Sequence, residues 1–565
     1  MERDENNIKE PVETQPPETG GFFNRRDIIK GLATLPVVGL FFAKLYKKWH
    51  SVEMEKAKTE QFFNELGLST EAPSVLPSTT MKKSGGTLRI GMIGYGSRGE
   101  YLLRAVGYAH SSWIDSMKQA KLENKRDMRL DDFYNQDDLN IVVNGVCDVF
   151  DVRAEKALEA VKKGSNKGKE NNTVKRFKRY QDMLRSDDID AVIVATPEHW
   201  HAPMAIDAAK AGKHIYLEKP LCLTFPEINR AVDTIKESGI KFQLGHQSRQ
   251  TDAYIMAREV IQKGVLGKVS LVTLTTNRND PNGAWVYNIH PEASPMNIDW
   301  RQFMGRTKRR PFNMERFFRW RLWYDYGSGL SGDLFTHEFD AINMILDLGI
   351  PKSAVATGGV YFYKDGREVP DVYQANYEYP EKDLTLVYSA TLASNQKRGK
   401  LIMGHDASMD LGQLHASALA VTADRGSTRF KERIEKGLLD TEMPMFQYTP
   451  GSKGFDAVSS ATEKYFASRG LLYTYRDGKR IDTTHLHIAE WLNAIRTGGD
   501  TSCNIDRGFE EAVTAHMGTL AFKLGRKVEW DAENKVIKDI VLPKNWTDEE
   551  VQKSIEATKV AMMKS

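Results

Sequence analysis

Cysteine is scarce in this chain: Cys147, Cys222 and Cys503 are the only three in 565 residues, odd in number and widely spaced. They suggest neither a disulfide framework nor a zinc site. An excess of one charge is also lacking. A net charge of +3 over that length, with no array of basic and aromatic residues, gives no case for a nucleic-acid partner. Long apolar runs are missing as well. The uncharged stretch from Gly31 to Ala43 falls short of the roughly 20 residues that span a bilayer. What is present, 41% hydrophobic and 27% charged, describes an ordinary globular chain with room for two or three domains.

The chain divides by composition. Residues 1–20 are acidic and rich in Pro and Thr, a disordered composition. Arg25 and Arg26 then precede the mildly apolar run, which reads as a twin-arginine export signal; a buried helix or a plain anchor is the competing reading. Lys44, Lys47 and Lys48 follow with no small-x-small cleavage step, so an uncleaved inner-membrane tether stays open. The expectation is a chain exported by the twin-arginine route, periplasmic or tethered facing the periplasm. Residues 1–48 are then tail and signal, and 49–86 are a polar linker.

From 87 to 246 short apolar strands alternate with helices, implying a doubly wound parallel sheet. The strands are Leu88–Ile93, Ile141–Cys147, Ala191–Ala195, His214–Leu217 and Lys241–Gly245. The first breaks into Gly94-Tyr95-Gly96-Ser97-Arg98-Gly99 and a helix. Gly94 allows the tight turn, Gly96 lets backbone approach a pyrophosphate, and Gly99 lets the helix pack on the strand. The helix start at Ser97 and Arg98 offers free N–H groups to phosphates. Asp148 ends the next strand, placed for a ribose diol and against a 2′-phosphate, which favours NAD over NADP. Capping the following helix competes as its role, although Asp151 fills that equally well. Asp148 lies 49 positions beyond Gly99 (148 − 99), and the polar segment Ser111–Asn140 reads as an insertion that accounts for the excess.

After 246 the strands lengthen and alternate, which suggests a second domain over 247–535 with an antiparallel sheet. Residues 536–565 read as a tail, and Asn395–Ile481 resists assignment. Thr196-Pro197-Glu198-His199-Trp200-His201 follows a strand and reads either as a cofactor-facing loop or as simple packing of a helix start. Glu218-Lys219-Pro220 ends another strand, where ligands of such sheets bind. Lys219 there suits a proton relay, or is a solvated lysine beside a rigid Pro220 that a cis bond would fix. Asp333 and His337, four apart after a glycine-rich turn, share one helical face and suit acid–base chemistry, although such pairs are often structural. A metal reading that adds Glu338 and Asp340 is weaker, because those side chains point to other faces. Arg249 is a further candidate substrate contact. So is Trp323, from the basic-aromatic cluster at 316–324, where an oligomer interface is equally possible.

Taken in order, Gly94-x-Gly96-x-x-Gly99, Asp148, Thr196-Pro197-x-His199-x-His201, Glu218-Lys219-Pro220 and Asp333-x-x-x-His337 resemble the glucose–fructose oxidoreductase / inositol dehydrogenase (Gfo/Idh/MocA) family over roughly residues 87–530. The resemblance implies a Rossmann domain plus a carboxy-terminal α/β domain whose open, mainly antiparallel sheet mediates dimers or tetramers. It implies hydride transfer between a nicotinamide and a carbon of a sugar, polyol or glycoside. Lys219 would then orient and help deprotonate a hydroxyl, His337 would be the principal acid/base, and Asp333 would support it. Glu218 and the Thr196–His201 loop would hold the nicotinamide riboside. Outside the cytoplasm, where free NAD is scarce, the cofactor would be tightly held and recycled. A redox-assisted glycosidase and a sugar-binding protein are the alternatives.

Overall fold

The computed structural model describes residues 85–396, 398–411, 419–448, 473–476 and 479–563, together with 61 and 64–68. The twin-arginine segment, most of the linker and parts of Asn395–Ile481 lie outside the described residues. Among the described residues no helix is long and apolar enough to cross a membrane.

The first sheet has six parallel strands in the order β3-β2-β1-β4-β5-β6. Its strands are β1 (Leu88–Ile93), β2 (Ile141–Cys147), β3 (Lys175–Arg176), β4 (Ala191–Val194), β5 (His214–Leu217) and β6 (Phe242–Leu244). Sequence reading located five of these and missed β3, whose two charged residues carry no apolar signal. Apart from β3, the strands are largely buried on both faces, which explains their apolar runs. Between β1 and β2 lie helices α1 (Ser97–Ala105), α2 (Ser111–Glu123) and α3 (Arg129–Asn135), so the expected insertion is largely helical. Helix α4 (Asp151–Lys163) follows β2.

One face of this sheet is completed from far along the chain. Ile488, Trp491 and Leu492 of helix 483–497 pack with Ile90, Met92, Ile193 and Tyr216. This layer therefore draws on residues from both sides of position 246.

The second sheet has ten strands, of which β7 (Val269–Asn277) and β10 (Leu384–Thr391) pair in parallel. Every other named pairing in it is antiparallel, among them β9 (Val372–Tyr379) with β8 (Ser353–Gly359) and with β10. β9 alternates buried and exposed residues, which turns Ala375 and Tyr377 inward and Asn376 and Glu378 outward. The fold is thus α/β, a Rossmann layer plus a mixed, mostly antiparallel sheet. Residues 536–565 are more than a tail. Trp546 is buried, donates from Nε1 to the Leu223 carbonyl at 2.8 Å and stacks on His516, which docks the helix Asp548–Met562.

Two glycines of the β1–α1 turn are fixed by different constraints. Gly94 has φ +88°, a conformation that L side chains rarely adopt. A Cβ on Gly99 would lie 2.1 Å from the Gly94 carbonyl oxygen. Gly99→Ala is therefore expected to cost about 1–3 kcal/mol in urea unfolding. Gly86→Ala, where a Cβ would meet nothing within 4 Å, is expected to stay within about 0.5 kcal/mol of wild type.

Candidate active site

The carboxyl ends of β1, β2, β4 and β5 open onto one cleft of about 670 Å³. Gly94, Gly96, Ser97, Arg98, Asp148, Thr196, Pro197, His201, Glu218, Lys219, Asp333 and His337 all contribute to its wall. Of the expected cofactor residues, Gly99 packs behind the wall. His199 is also outside it, buried with Nε2 2.7 Å from the Phe303 carbonyl. His201 ties two strand-end loops together: its ring nitrogens lie 2.6 Å from the Pro220 carbonyl and 2.9 Å from that of Thr196. The Lys219–Pro220 bond is cis.

Asp148 is held by main chain. Its carboxylate accepts from Tyr95 N at 2.6 Å and from Phe150 N at 2.8 Å, which joins the glycine turn to the end of β2. Each oxygen keeps further acceptor capacity for a hydroxyl. Glu218 accepts from Arg98 Nε at 2.7 Å, and Arg98 also reaches Gln247.

The centre of the cleft is ionic. Lys219 Nζ donates to Asp333 Oδ1 at 2.9 Å and to the Asp333 carbonyl, while Arg321 Nε lies 3.1 Å from the same Oδ1. Burial alone would raise the Asp333 pKa, but Arg321 and Lys219 hold it well below the usual carboxylate range. Asp333 sits in a π-helical turn, Leu330–Phe335, and His337 in the first turn of the helix Thr336–Leu346. The four-residue spacing therefore spans a change of helix type, a feature frequent at functional sites. Burial, reinforced by the Lys219 charge, holds the His337 imidazole well below its ordinary pKa. Behind Asp333, Glu198 accepts from Ser328 N at 2.8 Å and from the Ser328 hydroxyl. Burial and the Asp333 charge push Glu198 up to about 7.

Two expected substrate residues lie elsewhere. Arg249 is buried, with Nε donating to Asp340 Oδ1 at 2.6 Å, Nη1 to the Ser502 carbonyl at 2.7 Å, and Nη2 lying 3.4 Å from Glu511 Oε1. Trp323 is buried beneath the Arg316 guanidinium, 4.6 Å from its ring centre, outside the cleft wall. Both were plausible from sequence because an arginine after a strand and a tryptophan among arginines look the same whether they face a cleft or a core. His246, Asp340 and Glu511 come close enough together to hold a cation, but the Arg249 guanidinium already sits on both carboxylates. Sequence reading missed Arg278, Asn282, Tyr287 and Asn288, which line the far wall just after β7. The polar turn Asn277–Asn282 at a strand end was the available signal.

The fold and cleft define a dinucleotide-binding Rossmann domain joined to an α/β domain. Residues 88–246 match the family model GFO_IDH_MocA, described as oxidoreductase family, NAD-binding Rossmann fold. The chain is 29% identical over 224 residues to levoglucosan dehydrogenase of Pseudarthrobacter phenanthrenivorans, covering 37% of this chain and 47% of that protein. It is 27% identical over 212 residues to glycosyl hydrolase family 109 protein 1 of Shewanella sp. (strain ANA-3), covering 36% and 40%. The matches thus span less than half of either relative. Two crystal structures share the fold. The WlbA dehydrogenase from Bordetella pertussis, in complex with NADH and UDP-GlcNAcA, gives a TM-score of 0.52 at 14% identity, covering 79% of this chain and 99% of that one. A levoglucosan dehydrogenase in complex with NADH and levoglucosan gives 0.51 at 19%, covering 78% and 99%.

Glu198 gives the site a pH signature. Its folded pKa of about 7 exceeds the ordinary 4.5, so its contribution to stability is full below 4.5 and is lost as pH rises through about 7. Glu198→Gln keeps an oxygen for Ser328 and removes the titration. The melting temperature of this variant is expected to fall less than that of wild type between pH 5 and pH 8.

Proposed function

We propose that this protein is an exported NAD-dependent oxidoreductase that moves hydride to or from a hydroxyl-bearing carbon of a sugar, polyol or glycoside. The observation that carries this reading is the Lys219–Asp333–His337 constellation, which opens on the same cleft as the glycine turn. The cofactor fits the residues present: the turn around Gly94 and Gly99 leaves no room for side chains, and the start of α1 has no side-chain cap. Gly94, Gly96, Ser97 and Arg98 would face the phosphates, Asp148 the adenosine ribose, and Thr196, Pro197 and Glu218 the nicotinamide riboside.

The bound nicotinamide supplies hydride exchange at a single carbon. Lys219, fixed by the Asp333 carboxylate, presents its ammonium to the substrate oxygen and favours the alkoxide as the O–H proton leaves. His337 is neutral near pH 7 and takes that proton; in the reverse direction it returns it. Asp333 keeps Lys219 aimed. Arg278, Asn282, Asn288 and Arg321 supply donors for the remaining hydroxyls of a sugar.

The NAD preference rests on Asp148, whose charge disfavours a 2′-phosphate. The twin-arginine pattern at Arg25-Arg26 supports export, with or without an inner-membrane tether, and a tightly held, internally recycled cofactor follows from that location. The second sheet would carry dimer or tetramer formation. The matches to glycosyl hydrolase family 109 proteins favour a second reading, in which transient oxidation at the same cleft drives glycoside cleavage.

Native mass spectrometry is expected to find a retained nicotinamide dinucleotide, and a sugar panel followed by NADH absorbance is expected to show turnover. Substrate consumption without net NADH would favour the recycled reaction or glycoside cleavage. Neither turnover nor cleavage across the panel would sink both readings. Lys219→Ala and His337→Ala are each expected to lower kcat by about 10²–10⁴. Because the His337 pKa lies below its ordinary 6.5, protonation removes the base only in more acid solution. The rate is expected to show no acid limb between pH 6 and 8, and a limb centred near 6.5 would contradict His337 as the base.

A further inference from the structure

We propose that Arg153 binds a phosphate group of the dinucleotide, its guanidinium lying beside Gly96 at the start of α1. The proposal rests on the dinucleotide reading above and adds a residue that neither the glycine motif nor the acid at the end of β2 accounts for.

Four other basic side chains of the cleft have carboxylate partners. Arg98 has Glu218 at 2.7 Å, Arg104 has Glu100 at 3.5 Å, and Lys219 and Arg321 share Asp333 at 2.9 and 3.1 Å. Arg153 lines the same wall, yet among the described residues its side chain has neither an ion pair nor a hydrogen bond. The nearby carboxylate of Asp148 is committed to the main-chain N–H groups of Tyr95 and Phe150. Three aromatic rings hold Arg153 instead. Its guanidinium carbon lies 5.7 Å from the ring centre of Phe150, 5.5 Å from Phe317 and 5.2 Å from Phe318. Those rings orient the guanidinium plane without neutralising it. An arginine stays cationic at any accessible pH, so a half-buried one with no carboxylate in ion-pair contact among the described residues is prepared for an anion from outside.

The position says which anion. Gly96 has no Cβ to fill the space before the turn, and a Cβ built there would lie 3.8 Å from Arg153 Nη1. The guanidinium and the uncapped start of α1 therefore meet at Gly96, where the second glycine of such turns admits a pyrophosphate. A planar fork and N–H groups gathered at one place match a phosphate, whose several oxygens accept from both. Both a pyrophosphate and a ribose 2′-phosphate have this chemistry.

Full-length wild type, Arg153→Met and Arg153→Lys, dialysed free of nucleotide, are to be titrated with NAD⁺ and NADP⁺ at low and high salt. Methionine keeps an unbranched chain against the phenylalanines and removes the charge. Weakening of both nucleotides by tenfold or more, with a shallower salt dependence than wild type and partial recovery in Arg153→Lys, supports contact with the pyrophosphate. Weakening of NADP⁺ alone supports contact with a 2′-phosphate. Wild-type affinity for both in a variant that melts at the wild-type temperature overturns the proposal. If Arg153→Met does not fold, Arg153→Lys decides: loss of the fork is expected to weaken binding several-fold, and unchanged affinity overturns it. Wild type that binds neither nucleotide refutes the dinucleotide reading instead, a separate outcome.

Discussion

The Asp333 carboxylate is the constraint around which the cleft is arranged. It receives Lys219 from the end of β5 and Arg321 from the segment that leads into the glycine-rich turn, and its own carbonyl also accepts from Lys219. Buried ions of this kind hold position only while each has its partner, since an isolated charge away from water is heavily penalised. One carboxylate between two cations therefore fixes the relative placement of the carboxyl end of β5 and the turn that leads into the helix of His337. The π-helical turn is the local cost of this arrangement, shifting Asp333 out of α-helical register just before the helix of His337 begins.

Around that centre the electrostatics divide by burial. His337 and His246, ring to ring at 5.5 Å, are both kept neutral, the latter down to about 4. On the far side Arg249, Asp340 and Glu511 form a second buried ionic group. There burial pushes Asp340 up to about 7 although Arg249 pulls the other way. The two groups differ in access. The Asp333 group opens on the cleft and the Arg249 group does not.

Much of this was legible in the sequence, for identifiable reasons. Strands buried on both faces announce themselves as apolar runs, and residues at their carboxyl ends inherit a place in the cleft without further information. Gly94, Asp148, Thr196, Glu218 and Lys219 were located in this way. Direction within a helix or loop is set by packing partners that sequence does not name. His199 therefore turned to the Phe303 carbonyl rather than the cleft, and Arg249 and Trp323 turned inward. The two-residue β3 and the docked Trp546 were invisible for a related reason, since each is defined by a distant partner, β2 or Leu223. The change of helix type between Asp333 and His337 left no periodic trace, because the spacing of four suits an unbroken helix equally well.

The helix 483–497 carries a consequence for biogenesis. Trp491 closes the face of the parallel sheet that includes Met92 and Ile193, and Asp482, just before that helix, accepts from the Tyr101 hydroxyl of α1 at 2.6 Å. A ribosome adding about 5–20 residues per second needs roughly 20–80 s to pass from the first strand to that helix. Through that interval the nascent sheet has one apolar side without its cover. The cleft is thus a late product of translation, completed only after the helix 483–497 has been made. A fragment ending near residue 246 would lack that cover altogether.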